Sequence, residues 1–455
     1  MAETNSTAGL GKESKVKGKI GYIGVDVLHN ATICNEASGL LAQGFPLEIC
    51  SVHPIEAPGY YRQESMALLR QKTTALYPLK PLETAQAIFL GPFLFGLNWF
   101  RAIWGAFSCP AESWGARFRL LAHLIPALVL ALRWRGQDIR HIHAQWAHTA
   151  TTIAMHAATL LGIGFSFTGH ANDLFVHRVG LKGKLLRARF AVGISAWHKN
   201  LFEQIGCRPG RVPIVYCGID SKRFAPTEAA PGGASHARLQ QEPPRFVGVG
   251  RLVPKKGFDD LVRACRLLKD RGVAFHCLIA GSGPEEKALR EQIRAADLEK
   301  EVEVTGKPVL QEELPEMLRQ SRASVLPCVK DNEGDMDGLP QVLIEAMACG
   351  VPVISTVLVG IPDLVRPGLD GLLVPTRDVE ALAKAMTTLA QSPELAHAMG
   401  QYARVRAEAY FDRSEYLKRL TTLFCEALED PGPDGKVTPF EAAPLTAREG
   451  EKVLL

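Results

Sequence analysis

Apolar, often β-branched runs alternate with helix-length stretches along most of the chain, and the alternation stops once and restarts. Before the break, the runs 20–27, 47–52, 139–143, 164–168, 191–195 and 212–216 read as strands. After it come 245–250, 274–280, 302–305, 323–327, 351–355 and 371–375. Strands separated by helices need crossover connections, and crossovers make parallel sheets with helices on both faces. The pattern predicts two doubly wound α/β halves with a cleft between them. At 455 residues the chain is also too long for one ordinary core.

Composition along the chain divides it further. Residues 1–17 are polar and carry lysines, which predicts a disordered tail. A first domain covers 18–224. Residues 225–244 are rich in Pro, Ala and Gly without periodicity and read as a linker. A second domain covers 245–410, a last helix 411–430, and 431–455 is expected to be a mobile tail. The net charge of +4 is small for this length and argues against nucleic acid as a partner. The ten cysteines form no C-x-x-C pair and fall mostly in apolar runs, as buried thiols of a reducing compartment do. The first residues lack the apolar stretch of a secretory signal, so a cytoplasmic location is expected.

The segment 84–107 breaks the pattern. It is aromatic-rich, interrupted by Pro92, and carries Arg101. It falls short of the roughly 20 clean apolar residues of a membrane span. Two readings fit: a buried helix pair, or an interfacial segment with Trp99 and Trp104 at headgroup depth, giving peripheral contact with the inner face of the membrane. His141, His143 and His148 have no Cys or carboxylate at ligand spacing, so ordinary strand-end histidines are expected and no metal site.

The acidic loop and apolar helix of 331–356, DNEGDMDGLPQVLIEAMACGVPVIST, carry the most chemistry. Pro340 suits a first helical turn, the helix runs 341–349, and Gly350 fits a left-handed cap. Asp337, Gln341 and Glu345 fall at i, i+4 and i+8. With helical spacing throughout, the two carboxylates stand on the order of 12 Å apart on one side. Such a pair can hold hydroxyls at both ends of one ligand, or can simply be a solvated acidic face. Upstream, GVGRLVPKKG puts Arg251 and Lys256 on a strand-to-helix loop, where they suit a diphosphate or a basic surface. The turn Gly281-Ser282-Gly283-Pro284 is neither a Walker A loop nor a G-x-G-x-x-G fingerprint. His170 follows the 164–168 run, where open α/β sheets keep ligands.

Together these motifs carry a resemblance. GRLVPKKG, AGSGP, Asp337-x7-Glu345 within DGLPQVLIEAMACGVPVIST, and DGLLVP resemble a retaining glycosyltransferase of family 4. HIHAQWAH, SFTGHANDLF, VGIS and YCGID resemble its exopolysaccharide branch, of the colanic-acid type. The likeness covers about residues 19–425. It implies a GT-B fold: two Rossmann-like domains, acceptor in the first, donor nucleotide in the second, and a last helix crossing back to the first. Carried over by motif, Arg251 and Lys256 grip the donor diphosphate, and Glu345 holds the ribose hydroxyls. Asp337, with the backbone N–H groups of Gly338 and Leu339, holds the transferred sugar. His170 approaches that sugar from the opposite domain, and the base lies on backbone near Lys307. No metal or other cofactor is implied.

Three positions depart from the family pattern. Asp337 replaces a longer carboxylate, and Glu333 and Asp335 lie close enough to share its role. The loop 25–30 lacks a Gly-Gly pair, and the Gly-Gly-x-x-Glu element reads Val359-Gly360-Ile361-Pro362-Asp363. The expected function is transfer of a sugar from a nucleoside diphosphate donor, UDP before GDP, to a lipid-linked saccharide. A GT-B sugar-nucleotide epimerase and a non-catalytic saccharide- or partner-binding protein stay open.

Overall fold

A computed structural model describes residues 17–28, 31–54, 64–226, 242–432 and 435–443. The polar N-terminal residues 1–16, His29 and Asn30, and 227–241 of the expected linker lie outside the described residues.

The alternation folds into two six-stranded parallel sheets. The first is built of β1 (Lys19–Gly24), β2 (Leu47–Ser51), β3 (Thr73–Ala75), β4 (Ile139–Gln145), β5 (Gly164–Gly169) and β6 (Phe190–Gly193), in the order β3-β2-β1-β4-β5-β6. The second is built of β7 (Arg245–Val249), β8 (His276–Ala280), β9 (Val302–Val304), β10 (Ala323–Leu326), β11 (Val353–Thr356) and β12 (Gly371–Val374). Its order is β12-β11-β10-β7-β8-β9. Counted from its own first strand, each sheet runs third-second-first-fourth-fifth-sixth. The direction of winding reverses between first and fourth strands, and a crevice opens there at the carboxyl ends. The loops after β1, β4, β7 and β10 are therefore the ones that topology assigns to a ligand.

Two readings of strands need correction. Residues 212–216 make only an isolated bridge, Gly193 with Ile214. Pro213 has no N–H to give a ladder, although its carbonyl accepts the Gly193 N–H at 3.1 Å. The three-residue β3 was not expected, because so short a run carries no periodicity to read.

The chain crosses between the domains twice, and the crossings are tied together. Ile219 N–H donates to the Phe411 carbonyl (2.9 Å), and Arg413 N–H to the Ile219 carbonyl (2.8 Å). Asp412 then caps helix Arg413–Glu429 by accepting the Ser414 N–H at 2.8 Å. This helix returns to the first domain, where Leu420, Leu423 and Phe424 pack with Ile20, Leu40 and Phe190. Each such side chain, fully buried, stabilises by about 1.5–3 kcal/mol.

Residues 431–432 and 435–443, expected as part of a mobile tail, lie against the first domain through hydrogen bonds. The Pro431 carbonyl accepts the Gly164 N–H at 3.1 Å, next to the edge of the first sheet. Arg189 is fully buried, and its guanidinium donates to the carbonyls of Glu426 (2.8 Å), Gly432 (3.1 Å) and Lys436 (3.0 Å). A buried guanidinium needs acceptors, and the tail supplies them. Composition flags Pro and Gly as breakers but cannot see a cation waiting beneath.

Segment 84–107 folds as two helices, Pro81–Phe95 and Leu97–Ser108, bent by 114° at Gly96. It is not a buried pair. Small residues face inward, including Ala87, Gly91, Ala102, Gly105 and Ala106, and most large apolar side chains face solvent.

Candidate functional site

A cavity of about 580 Å³ opens at the carboxyl ends of the second sheet. Its walls include Arg251 and Lys256 from the loop after β7, Gly281 and Ser282 after β8, and Pro308 and Val309 after β9. Asp337, Leu339 and Pro340 come from the loop after β10, and Gln341 and Glu345 from the helix Gln341–Ala348. Thr32, near the start of helix Ala31–Ala42, reaches the cavity from the first domain.

The ionic centre is a partly buried cluster. Lys256 Nζ lies 2.5 Å from Asp337 Oδ2, and Lys255 Nζ lies 3.4 Å from Asp337 Oδ1 and 2.9 Å from Asp335 Oδ2. The Cys328 thiol also donates to Asp337, at 3.4 Å. Burial opposes both charges of the Lys256–Asp337 pair, but their attraction outweighs it. The Lys256 ammonium is held above its ordinary pKa and the Asp337 carboxyl below. Arg251 is exposed on the same wall, and its guanidinium makes no ion pair among the described residues.

Glu345 is the opposite case. It is 8% exposed, and no described group hydrogen-bonds its carboxylate. Burial pushes its pKa up to about 7, and Arg223 partly offsets this. An unpartnered buried carboxylate is costly, and hydroxyl donors from a ligand would relieve that cost.

Asp337 and Glu345 thus share a cavity, but not through helical spacing. The helix begins at Gln341, Pro340 is its extended N-cap rather than its first turn, and Asp337 sits in the preceding loop. Gly350 does take the left-handed conformation, with φ of 70°. Lys307 is not on the cavity wall. Its carbonyl accepts the Thr305 hydroxyl at 3.3 Å, and its neighbours Pro308 and Val309 line that end instead.

His170 is not on the wall either, but it abuts the loop that is. A Cβ added to Gly338 would lie 2.3 Å from the His170 carbonyl oxygen, so the two domains touch there through a position with no side chain. Gly360 presses on the same loop, with its N–H donating to the Gly338 carbonyl at 3.1 Å. The His170 ring lies against Trp146 (4.5 Å between centroids), and its Nε2 lies 2.9 Å from Gln145 Oε1. Gln145 Nε2 already donates to Glu36 (2.8 Å), so Oε1 is the acceptor and His170 Nε2 carries the proton. Burial, then the nearby His198 and His148, push the His170 pKa down to about 3, so the ring is neutral.

The strand-end loops are stitched by residues that sequence reasoning did not single out. Asp173 accepts the N–H groups of Ala147 (2.6 Å), Ala171 (2.8 Å) and His170 (3.2 Å). The buried Lys184 ammonium donates to the carbonyls of Ala147 (2.6 Å) and His148 (2.8 Å). Asp363, in the element that departs from the family pattern, joins the domains. It accepts the Ala196 N–H at 2.6 Å and the Tyr216 hydroxyl at 3.1 Å. Gln145 and Asp173 stand inside recognisable motifs, whereas Lys184 has no local signal. His141 and His143 both hydrogen-bond the Ser166 hydroxyl at 2.8 Å. Among the described residues, no cluster of His, Cys, Asp and Glu is arranged to hold a metal.

Two doubly wound domains, with cations and carboxylates lining a crevice between them, define a GT-B architecture with a site suited to a charged, hydroxyl-rich ligand. The comparisons agree. Residues 235–406 match the family model for glycosyl transferases group 1. A mannosyltransferase of Mycobacterium tuberculosis, GDP-mannose-dependent and acting on phosphatidylinositol monomannoside, is 35% identical over 304 residues, 64% of this chain and 78% of its own. WcaL of Escherichia coli (strain K12), provisionally assigned as a colanic acid biosynthesis glycosyltransferase, is 37% identical over 240 residues, 52% of this chain and 56% of its own. The chain thus spans about half the length of the exopolysaccharide relatives it matches. In fold, it is similar to HepE of Anabaena in complex with UDP, with TM-score 0.65, 16% identity, and coverage of 89% of this chain and 99% of HepE. The chain belongs to the glycosyl transferases group 1 family.

Proposed function

We propose that this protein is a retaining glycosyltransferase that moves a sugar from a nucleoside diphosphate donor to a lipid-linked saccharide. One observation carries the reading: a cavity between the domains lined by Arg251, Lys256, Asp337 and Glu345, with Glu345 buried and unpartnered. Glu345 takes the ribose hydroxyls. Arg251 and Lys256 meet the diphosphate, and Lys256 turns to it from Asp337. Asp337, released from Lys256 but still beside Lys255, accepts hydroxyls of the transferred sugar, aided by the backbone N–H groups of Gly338 and Leu339. The base lies at the Pro308–Val309 end. The bond from the anomeric carbon to the phosphate oxygen breaks, and the acceptor oxygen bonds to that carbon from the same face. The acceptor's proton passes to the departing diphosphate. Once turned to the diphosphate, these cations stabilise the leaving charge, and the closed domains keep water from the cation-like centre.

The donor base has two readings. UDP is the first reading. The mycobacterial relative is described as GDP-mannose-dependent, and on that relationship GDP is the second reading. A thermal-shift screen across UDP, GDP, ADP and their sugars separates them, because a ligand that binds the folded state raises the melting temperature by mass action. Lys256→Ala and Glu345→Ala should each lower kcat/KM by about 2–4 kcal/mol in transition-state stabilisation while the fold persists. Wild-type turnover in either variant would remove that residue from the site. Conversion of a nucleotide sugar with no acceptor present would replace transfer by epimerisation.

A further inference from the structure

Three successive helices of the first domain turn large apolar side chains to water. On Pro81–Phe95, Leu82 (73% exposed), Phe89 (75%) and Phe93 (86%) share one face. On Leu97–Ser108, Leu97, Phe100, Trp104 and Phe107 recur at spacings of three and four. On Trp114–Ala122, Trp114 (90%) and Phe118 (72%) do the same. The helices pack one on the next, so the three stripes fall in one region of the first domain. Among the described residues, twelve of the seventeen exposed large apolar side chains fall between Leu82 and Ile125. Scattered singly they would mean nothing, but concentrated in one place they mark a docking surface.

The platform is not a membrane span. Its helices have 15, 12 and 9 residues, and the first two meet at 114°. A spanning helix needs roughly 20. Residues Trp114–Trp134 are apolar enough as a unit, but their second half, Leu124–Trp134, is core, with Ala127, Val129, Leu130 and Ala131 buried.

Charge identifies the partner. Between residues 80 and 122 the acidic side chains are Glu83 and Glu112. Glu83 is clamped by Arg133 at 2.6 and 2.8 Å. Glu112 accepts the N–H groups of Gly180 (2.6 Å) and Leu181 (2.8 Å). The Arg133 cation neutralises Glu83, which leaves Glu112 as the one unneutralised carboxylate of this stretch, against several exposed cations. Lys80, Arg101 and Arg119 are exposed, as are Arg178 and Lys182 on the adjoining segment. Apolar rings flanked by such cations match a bilayer surface carrying anionic phospholipid, whereas a second copy would bring like charges together.

We propose that the platform formed by helices Pro81–Phe95, Leu97–Ser108 and Trp114–Ala122 seats the protein flat on an anionic phospholipid bilayer, with its aromatic rings at headgroup depth. The inference rests on this surface and not on the transfer reaction. Flotation of the full chain with phosphatidylglycerol–phosphatidylcholine vesicles tests it, against phosphatidylcholine alone. Wild type should float with the anionic vesicles, about tenfold less with the neutral ones, and less at high salt. The triple variant Phe89→Ser, Phe93→Ser, Trp104→Ser should lose about tenfold or more of that binding with an unchanged circular-dichroism melt. If the triple variant misfolds, wild-type tryptophan emission decides. It should shift blue on adding anionic vesicles and be quenched by brominated lipid, and an unmoved spectrum would overturn the proposal. So would wild type that stays at the bottom of the gradient, or a folded triple variant that floats equally. Wild type that self-associates without binding vesicles, while the variant is monomeric, would assign the surface to a second copy instead.

Discussion

Glu345 offers the most direct test at the scale of a single residue. Its pKa is pushed up to about 7 by burial, so near neutral pH the free protein holds it partly protonated. Hydroxyl donors on a bound nucleotide sugar favour the ionised form. Binding below pH 7 must therefore release a proton, and affinity should fall roughly tenfold for each pH unit below about 7. Calorimetric titration of the preferred nucleotide sugar from pH 6 to 8 measures this. Glu345→Gln should bind more weakly and lack the slope, and it also controls for titration of the ligand's own phosphates. The sequence placed Glu345 and Lys256 in one motif set. It did not reveal that one is unpartnered while the other rests on Asp337, because Lys256 and Asp337 are 81 positions apart.

At the scale of elements, the loop 337–340 matters more than the helix it starts. The helix was legible from apolar spacing, Pro340 and Gly350, all of them local signals. The loop was not. Its course is fixed by Lys255 and Lys256 on one side and by His170 and Gly360 on the other. Gly338 is needed because the domains meet through it. Gly338→Ala should push the loop from the His170 carbonyl, and misplacement of about 1 Å can cost on the order of 100-fold in rate. The expected result is a large loss of turnover with nucleotide affinity within about threefold of wild type, read by steady-state kinetics and calorimetry. Unchanged turnover would mean that the site tolerates a wider opening. Asp363 carries the same lesson. It lies in the element that departs from the family pattern, yet it accepts the Ala196 N–H at the start of helix Ala196–Ile205 of the first domain and holds Tyr216.

Across the whole molecule, the return of the last helix makes the halves one protein. Tyr416 on that helix donates its hydroxyl to Glu36, which also holds Gln145. Burial raises the Glu36 pKa to about 7, although the hydrogen bonds from Tyr416 and Gln145 pull it down. A carboxyl with a folded pKa above its unfolded value keeps a proton that the unfolded chain releases. Stability is therefore fullest below pH 4.5 as far as this group is concerned, and declines as pH rises to about 7. The decline is at most about 3 kcal/mol. Thermal melts from pH 5 to 8 should show Glu36→Gln flatter than wild type, and parallel curves would mean that Glu36 is ionised throughout.

Periodicity and turn chemistry by themselves determined the two parallel sheets, the helix at Gln341–Ala348, and the motif order that carries the family. These are local patterns, and each states which face of an element is apolar or where backbone must turn. Only the tertiary structure decided what each face meets. It buried Arg189 under the tail, paired Lys256 with Asp337, set Gly338 against His170, and left the rings of the 81–122 helices facing water. A sequence records the hydrophobicity of a surface, but whether protein, ligand or solvent covers it depends on contacts between residues far apart in the chain.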